Sequence, residues 1–169
     1  MAIKNDTMYG HKVLRVNYTS YDLRRCQDSI NPRTHADIMM LNGDTDPAHP
    51  FWFARVCGIF HVNVLYGNGK SPRLFHFLWV CWFGHDFKHK SGFKHRRLPR
   101  IGFVRDDQNP MGFVDPKDVI RAVHLLPGFA YGRTDAFLGP SVARNRLAEG
   151  RTRPTDDDDQ DWIYYYVGM

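Results

Sequence analysis

Residues 79–97, WVCWFGHDFKHKSGFKHRR, hold a cluster of side chains that could bind zinc. Thiolate and imidazole are zinc ligands, and steps of four residues put side chains on one face of a helix. The intervening Gly84, Asp86 and Ser91–Gly92 favour a turn instead, and the neighbouring cations repel a dication. We therefore expect no metal, and we keep a zinc-dependent nuclease as a weaker alternative. The candidate ligands are Cys81, His85, His89 and His95.

The same stretch begins a basic segment that is a candidate nucleic-acid contact. Between residues 88 and 105 there is no acid, and Phe87 and Phe93 lie among the cations. Such charges neutralise phosphates and release counterions, and aromatic rings stack on exposed bases. The segment predicts a contact with DNA or chromatin. The alternative is a solvated face whose lysines prevent another strand from pairing with a sheet edge. Its cations are Lys88, Lys90, Lys94, Arg96, Arg97, Arg100 and Arg105.

Aromatic residues offer a third chemistry, the binding of a methylated lysine in an aromatic cage. On strands, most such residues fill the core, so a histone-tail reader is the alternative function rather than the leading one. The cage candidates are Trp52, Tyr66, Trp79 and Trp82.

Other catalytic motifs are incomplete. GNGKS at 67–71 lacks the first glycine of a P-loop, and Pro72 follows it where a helix should begin. No serine lies in a GxSxG-type elbow. The acids at 156–159 are contiguous, whereas two-metal sites collect carboxylates from separate elements. We expect a non-catalytic protein that needs no cofactor.

The elements that must position these residues are short apolar segments separated by turn residues. This pattern predicts a mainly β fold, an SH3-like or BAH-like small barrel with one short helix near 115–120. Asp115 would cap that helix, with Pro116 in its first turn. Strands are predicted at 13–18, 38–41, 50–66, 74–84 and 162–169, the third and fourth forming a hairpin. The predicted core comprises Phe53, Val56, Ile59, Val62, Phe77, Trp79, Val80, Phe103, Phe113, Val123 and Leu125.

Length and composition set the domain organisation. A chain of 169 residues with 43% hydrophobic residues can bury a core as a single domain. We expect an N-terminal arm and first strand at 1–30, the barrel at 31–130, a flexible polar loop at 131–161 and a terminal strand at 162–169. Three widely spaced cysteines argue against a disulfide framework. We expect a nuclear or cytoplasmic protein, not a secreted or membrane one.

Longer phrases resemble a known family. HPFWFARVCGIF (49–60) and FLWVCWFG (77–84) resemble paired strands of BAH and related SH3-like modules. Nearly the whole chain resembles the C-terminal region of proteins of Plavaka-type, CACTA-like DNA transposons of basidiomycete fungi. The further matching phrases are VLRVNYTSYDLRRCQDSINPRTHADIM (13–39), RLPRIGFV (97–104), GFVDPKDVIRAVHLLPGFAYGRT (112–134) and DWIYYYVGM (161–169).

The resemblance implies an accessory module without catalysis of its own. Strand exchange in that family is expected in an upstream acidic-triad domain of a longer protein, which would be a partner of this module. The family pattern continues beyond Met169, so we expect a truncated copy, and a degenerate fragment without activity is a further alternative. Cys81 stands where the family has arginine.

Overall fold

The computed structural model describes most of the chain as antiparallel β-structure. The described residues are 2–20, 22, 24–43, 49–66, 71–104, 110–134, 136, 138 and 160–168. The mainly β prediction is confirmed, and the helical residues in this part form only short 3-10 turns. None of the described helices is long and apolar enough to cross a membrane. The three cysteines, all of them described, form no disulfide.

The strands arise where β-branched and aromatic residues run between turn residues. The strands predicted at 13–18, 38–41, 50–66 and 74–84 are β2, β4, β5 and β6, and the predicted hairpin joins the last two. In chain order the described strands are β1 Ala2–His11, β2 Leu14–Thr19, β3 Arg25–Ile30, β4 Asp37–Leu41, β5 Phe51–Leu65, β6 Arg73–His85, β7 Arg100–Phe103, β8 Met111–Val114, β9 Val119–Ala122, β10 His124–Pro127, β11 Arg133–Thr134, β12 Asp161–Trp162 and β13 Tyr165–Gly168.

The main sheet has the order β10-β13-β7-β6-β5-β4-β9, with β1 on β5 and β8 on β6. Its ends β9 and β10 are separated in the chain only by Val123, so the sheet curls until they meet there. The Val123 amide donates to the Asp37 carbonyl at 2.9 Å. The predicted closed barrel is wrong, because the described strands form no closed barrel. β9 is hydrogen-bonded to β4 and β10 to β13, but no described ladder joins β9 to β10.

Both faces of the sheet are buried at its centre, so Val80 and Cys81 are buried in different cores. The first core lies under the separate β2–β3 hairpin, which contributes Ile30. The second core lies where β7 and β13 curl over β5 and β6. This double burial explains why the sequence of β5 alternates only in part. Its register against β6 also shifts between Val56 and Gly58, which leaves an extra residue, Cys57, on β5.

The predicted core is largely observed. Phe113 was predicted wrongly, because its side chain on β8 is 67% exposed. Phe77, Trp79, Val123 and Leu125 are partly buried. The predicted residues that are fully buried are Phe53, Val56, Ile59, Val62, Val80 and Phe103.

The predicted short helix is a single 3-10 turn, Pro116–Asp118. Asp115 caps it as expected, its carboxylate accepting the Lys117 amide hydrogen at 3.0 Å. The turn ends early because β9 begins at Val119.

The chain termini pair with the rest of the fold. β1 pairs with β5, and β13 pairs with β7 and β10. Of the polar loop predicted at 131–161, residues 135, 137 and 139–159 lie outside the described residues, including the acids at 156–159. Residues 67–70 of the GNGKS stretch lie outside them as well.

Candidate nucleic-acid interface

The basic segment forms the connection between β6 and β7, residues 86–99, which we call the cationic loop. Five of its side chains are exposed cations: Lys88, Lys90, Lys94, Arg96 and Arg97. None of them takes part in an ion pair with an acid in the described part of the chain. Within the part of the chain that the structure describes, the loop thus presents five cations to solvent without an acidic partner.

Local hydrogen bonds give the loop a defined shape. The Asp86 carboxylate accepts the Lys88 amide hydrogen at 2.9 Å, which is an Asx turn. At the tip, the Gly92 amide donates to the Arg97 carbonyl at 2.8 Å. Gly92 has φ 91° and Arg96 has φ 51°. The left-handed conformation costs a non-glycine residue of order 1 kcal/mol, so the closed tip holds Arg96 in a strained position.

An ion pair closes the base of the loop. Arg100 at the start of β7 donates to the Asp86 carboxylate through Nε at 2.9 Å and Nη2 at 2.6 Å. Only 13% of the Arg100 side chain and 11% of the Asp86 side chain are exposed. The guanidinium also lies over the rings of Tyr131 and Tyr164, 4.6 and 4.8 Å from their centres, and donates to the Tyr131 hydroxyl.

The electrostatics of this pair favour its charged form. Burial alone would raise the pKa of Asp86, but hydrogen bonds from Arg100 and the Lys88 amide lower it below the ordinary value. Burial alone would lower the pKa of Arg100, and the hydrogen bond with Asp86 raises it. Arg100 was predicted to contact nucleic acid, and this is corrected, because its nearly buried guanidinium is already paired with the Asp86 carboxylate. Arg105 lies outside the described residues, as does the side chain of Phe93.

One exposed aromatic ring stands beside the cations. Phe87 is 79% exposed and meets the edge of His49 at 5.4 Å between ring centres. The ring of His49 is tilted by 32° against the ring of His85, with their centres 4.3 Å apart, and the His85 ring N–H donates to the Phe51 carbonyl. The base of the loop thus presents an exposed aromatic ring next to positive charge.

The predicted zinc ligands do not gather. Cys81 and His85 both lie in β6, where a step of four residues spans about 13 Å. The same step would bring two side chains together on a helix, but in this strand it keeps them apart. Cys81 is fully buried, the His89 ring donates to the Leu98 carbonyl, and His95 is exposed in a 3-10 turn. As the described side chains lie, no three His, Cys, Asp or Glu residues are arranged to hold a metal ion.

The predicted aromatic cage is also dispersed. Trp52 and Trp82 meet edge to face at 5.7 Å. Trp79 is three residues before Trp82 in β6, so it lies on the opposite face, where it packs on Phe113 at 4.7 Å. Tyr66 packs at 6.2 Å on Phe75. Only two of the four candidates are in contact.

Sequence reasoning missed a different aromatic cage, which the protein fills with its own Arg55. The guanidinium lies 5.2 to 5.5 Å from the ring centres of Phe83, Phe103 and Tyr165. It donates to the Asp37 carboxylate at 2.8 and 3.1 Å and to Asp161 at 2.7 Å. Burial alone would lower the pKa of Arg55, but the charge and hydrogen bonds of Asp37 raise it. The only sequence signal is an arginine inside the apolar strand β5.

Comparison with family models, curated proteins and solved structures finds no match to this chain. The resemblance to the transposon proteins therefore stays a prediction.

Proposed function

We propose that the protein is a non-catalytic accessory module that contacts DNA through the cationic loop. The observation that carries this proposal is five exposed cations within residues 88–97, with no acid among them, on a loop whose base is closed by the Asp86–Arg100 pair. A loop of defined shape loses less conformational entropy when it binds than a disordered basic arm would.

The mechanism is neutralisation of phosphates with little reading of base sequence. Five phosphate contacts with duplex DNA predict that log K falls with log salt at a slope of about −4.5. Raising the salt concentration fourfold should then weaken binding roughly 500-fold. Phe87 would add stacking where bases are unpaired.

The test is fluorescence anisotropy of labelled duplex DNA at two salt concentrations, on protein shown to melt cooperatively. The triple substitution Lys94→Ala, Arg96→Ala, Arg97→Ala should lose most of the affinity and flatten the salt slope by about 3. A matched triple, Lys4→Ala, Lys12→Ala, Arg15→Ala, removes the same charge from exposed positions elsewhere and should bind much as the wild type does. Absence of binding at low salt, or equal losses in both triples, would reject the proposal.

We infer the wider context from the resemblance. That context is an SH3-like or BAH-like module of a transposon-encoded protein that acts on DNA or chromatin in the nucleus. The curled antiparallel sheet, with a bulge in its longest hairpin, bears only on the β-module part of this inference. An upstream acidic-triad domain in the same reading frame, found by sequencing the surrounding gene, would support this context. A reading frame without such a domain would count against it.

A further inference from the structure

A pocket opens at the edge of β5, between the two strands that pair with that edge. β1 pairs with it from Ile59 onward, and β4 pairs with it up to Arg55. Cys57 and Gly58, at the bulge, lie between these two ladders. The pocket has a volume of about 350 Å³, at the lower end of the range for small-molecule sites. Its walls are residues 10–12 at the end of β1, residues 31–33 after β3, and residues 57–60 of β5.

Strand register brings two cations to this pocket. Leu14 of β2 pairs with Ile30 of β3, and this pair is the end of the hairpin ladder. Lys12 lies just before this end and Arg33 lies just after it, so antiparallel pairing carries both to the same place. Both side chains are exposed and line the pocket. In the described part of the chain, neither forms an ion pair with an acid.

Hydrogen bonds hold two of the walls in place. The Asn31 Oδ1 accepts the Arg33 amide hydrogen at 2.9 Å, which is an Asx turn. The Asn31 amide donates to the His35 carbonyl at 2.9 Å, and the His35 amide donates back to the Asn31 carbonyl at 3.0 Å. On the β1 side, His11 Nε2 shares a hydrogen bond of 2.6 Å with His61 Nδ1. A ligand therefore meets a site whose backbone is already arranged.

An aromatic ring forms part of the third wall. A Cβ atom at Gly58 would lie 2.3 Å from the ring of Phe60, so this ring lies directly across the glycine backbone. The same ring packs on Phe77, with the ring centres 5.7 Å apart. The pocket thus offers a flat apolar surface together with its cations.

The lining carries charge of one sign. None of the described residues that line the pocket is acidic. Lysine and arginine donate strong, charge-assisted hydrogen bonds to phosphate oxygens, and arginine can do so through two nitrogens at once. A lining of this kind repels cations and attracts a compact anion.

We propose that this pocket binds a phosphate monoester, with the phosphate between Lys12 and Arg33 and the ester group against Phe60. A monoester carries nearly two negative charges at neutral pH, which matches two cations better than a singly charged phosphodiester does. The pocket is separate from the cationic loop, and Lys12 has no part in the proposed contact with DNA. The proposal therefore does not rest on that contact.

The experiment is a titration of the full chain with phenyl phosphate at low salt and about pH 8, where the ester is a dianion. Ligand-detected NMR should show saturable binding of one equivalent. Phenyl sulfate has the same shape and one charge fewer, and inorganic phosphate lacks the ring, so both should bind more weakly. A peptide that carries phosphotyrosine identifies the source: tighter binding than phenyl phosphate points to a phosphorylated protein, and equal binding points to a small ester. Either result supports the site.

Substitutions test the two cations. Lys12→Gln and Arg33→Gln should each weaken binding about fivefold, the most that one ion pair open to solvent contributes. Lys4→Gln and Arg15→Gln, at exposed cations outside the pocket, are the matched controls and should bind as the wild type does. Thermal melts check that each variant folds, and either pocket variant alone is enough for the comparison.

Three results would overturn the proposal. The first is no saturable binding of phenyl phosphate to the wild type. The second is an equal loss in the control variants, which would reflect the net charge of the protein. The third is displacement of phenyl phosphate by duplex DNA that has no terminal phosphate, since the pocket would then be a contact for phosphodiesters.

Discussion

Arg100 and Asp86 join the two ends of the cationic loop, with Nη2 of the guanidinium 2.6 Å from Oδ2 of the carboxylate. One basic residue of the predicted DNA-binding segment is thereby turned inward, where it shapes the loop that carries the others. The contact separates two roles that look alike in the sequence, an arginine that binds a partner and an arginine that holds the binding loop.

Removing the cation should destabilise the fold. Arg100→Gln leaves the Asp86 carboxylate nearly buried without its partner, and we expect the free energy of unfolding to fall by about 3 kcal/mol. Urea denaturation followed by tryptophan fluorescence measures this. The double variant with Asp86→Asn should recover part of the loss, and a double variant as unstable as the sum of both singles would contradict a coupled pair.

The same pair predicts a dependence of stability on pH. The folded pKa of Asp86 lies below its ordinary value of 3.8. Its contribution is therefore complete above that value and is lost as pH falls through the lower folded pKa. We expect acid unfolding of the wild type to be steeper in this window than that of Asp86→Asn. Thermal melts across acidic pH provide the comparison, and parallel curves would show that Asp86 contributes nothing.

Arg55 should matter more to stability than an exposed arginine does. Arg55→Met leaves two carboxylates, Asp37 and Asp161, without their cation, and we expect a loss of about 3–5 kcal/mol. Arg121→Met is the control, because its side chain is 43% exposed and lies 3.7 Å from Asp28. Exposed pairs contribute less than about 1 kcal/mol. Similar chemical denaturation midpoints for both variants would refute a special role for Arg55.

Phe87 should affect binding of single-stranded DNA without affecting stability. Its ring is 79% exposed, so Phe87→Ala should leave the melting temperature nearly unchanged. Stacking on one base is worth about 1–3 kcal/mol, so affinity for a single-stranded oligonucleotide should fall roughly fivefold or more. Phe129→Ala, at another ring that is 73% exposed, is the control for anisotropy measurements. Equal affinity in the two variants would exclude stacking by Phe87.

The strands that could be predicted from the sequence are those whose burial requires a visibly apolar amino-acid composition. β5 and β6 are apolar along most of their length because both of their faces are covered. β1 and β3 escaped prediction because they lie at the margins: β1 is mostly exposed, and β3 alternates through Cys26, Asp28 and Ile30 with polar neighbours. Such strands form because neighbouring strands offer backbone hydrogen bonds. The local sequence does not show which strand will be the pairing partner.

What the sequence determined by itself is local. The hairpin of β5 and β6, the Asp115 cap and the density of charge in residues 88–97 all depend on residues close together in the chain. Only the tertiary structure decided which groups meet across the sheet. It separated Cys81 from His85, because strand spacing is longer than helix spacing, and it brought His11 to His61 through strand register. Contacts of this kind depend on register and curvature, which arise when the whole sheet buries its two faces together.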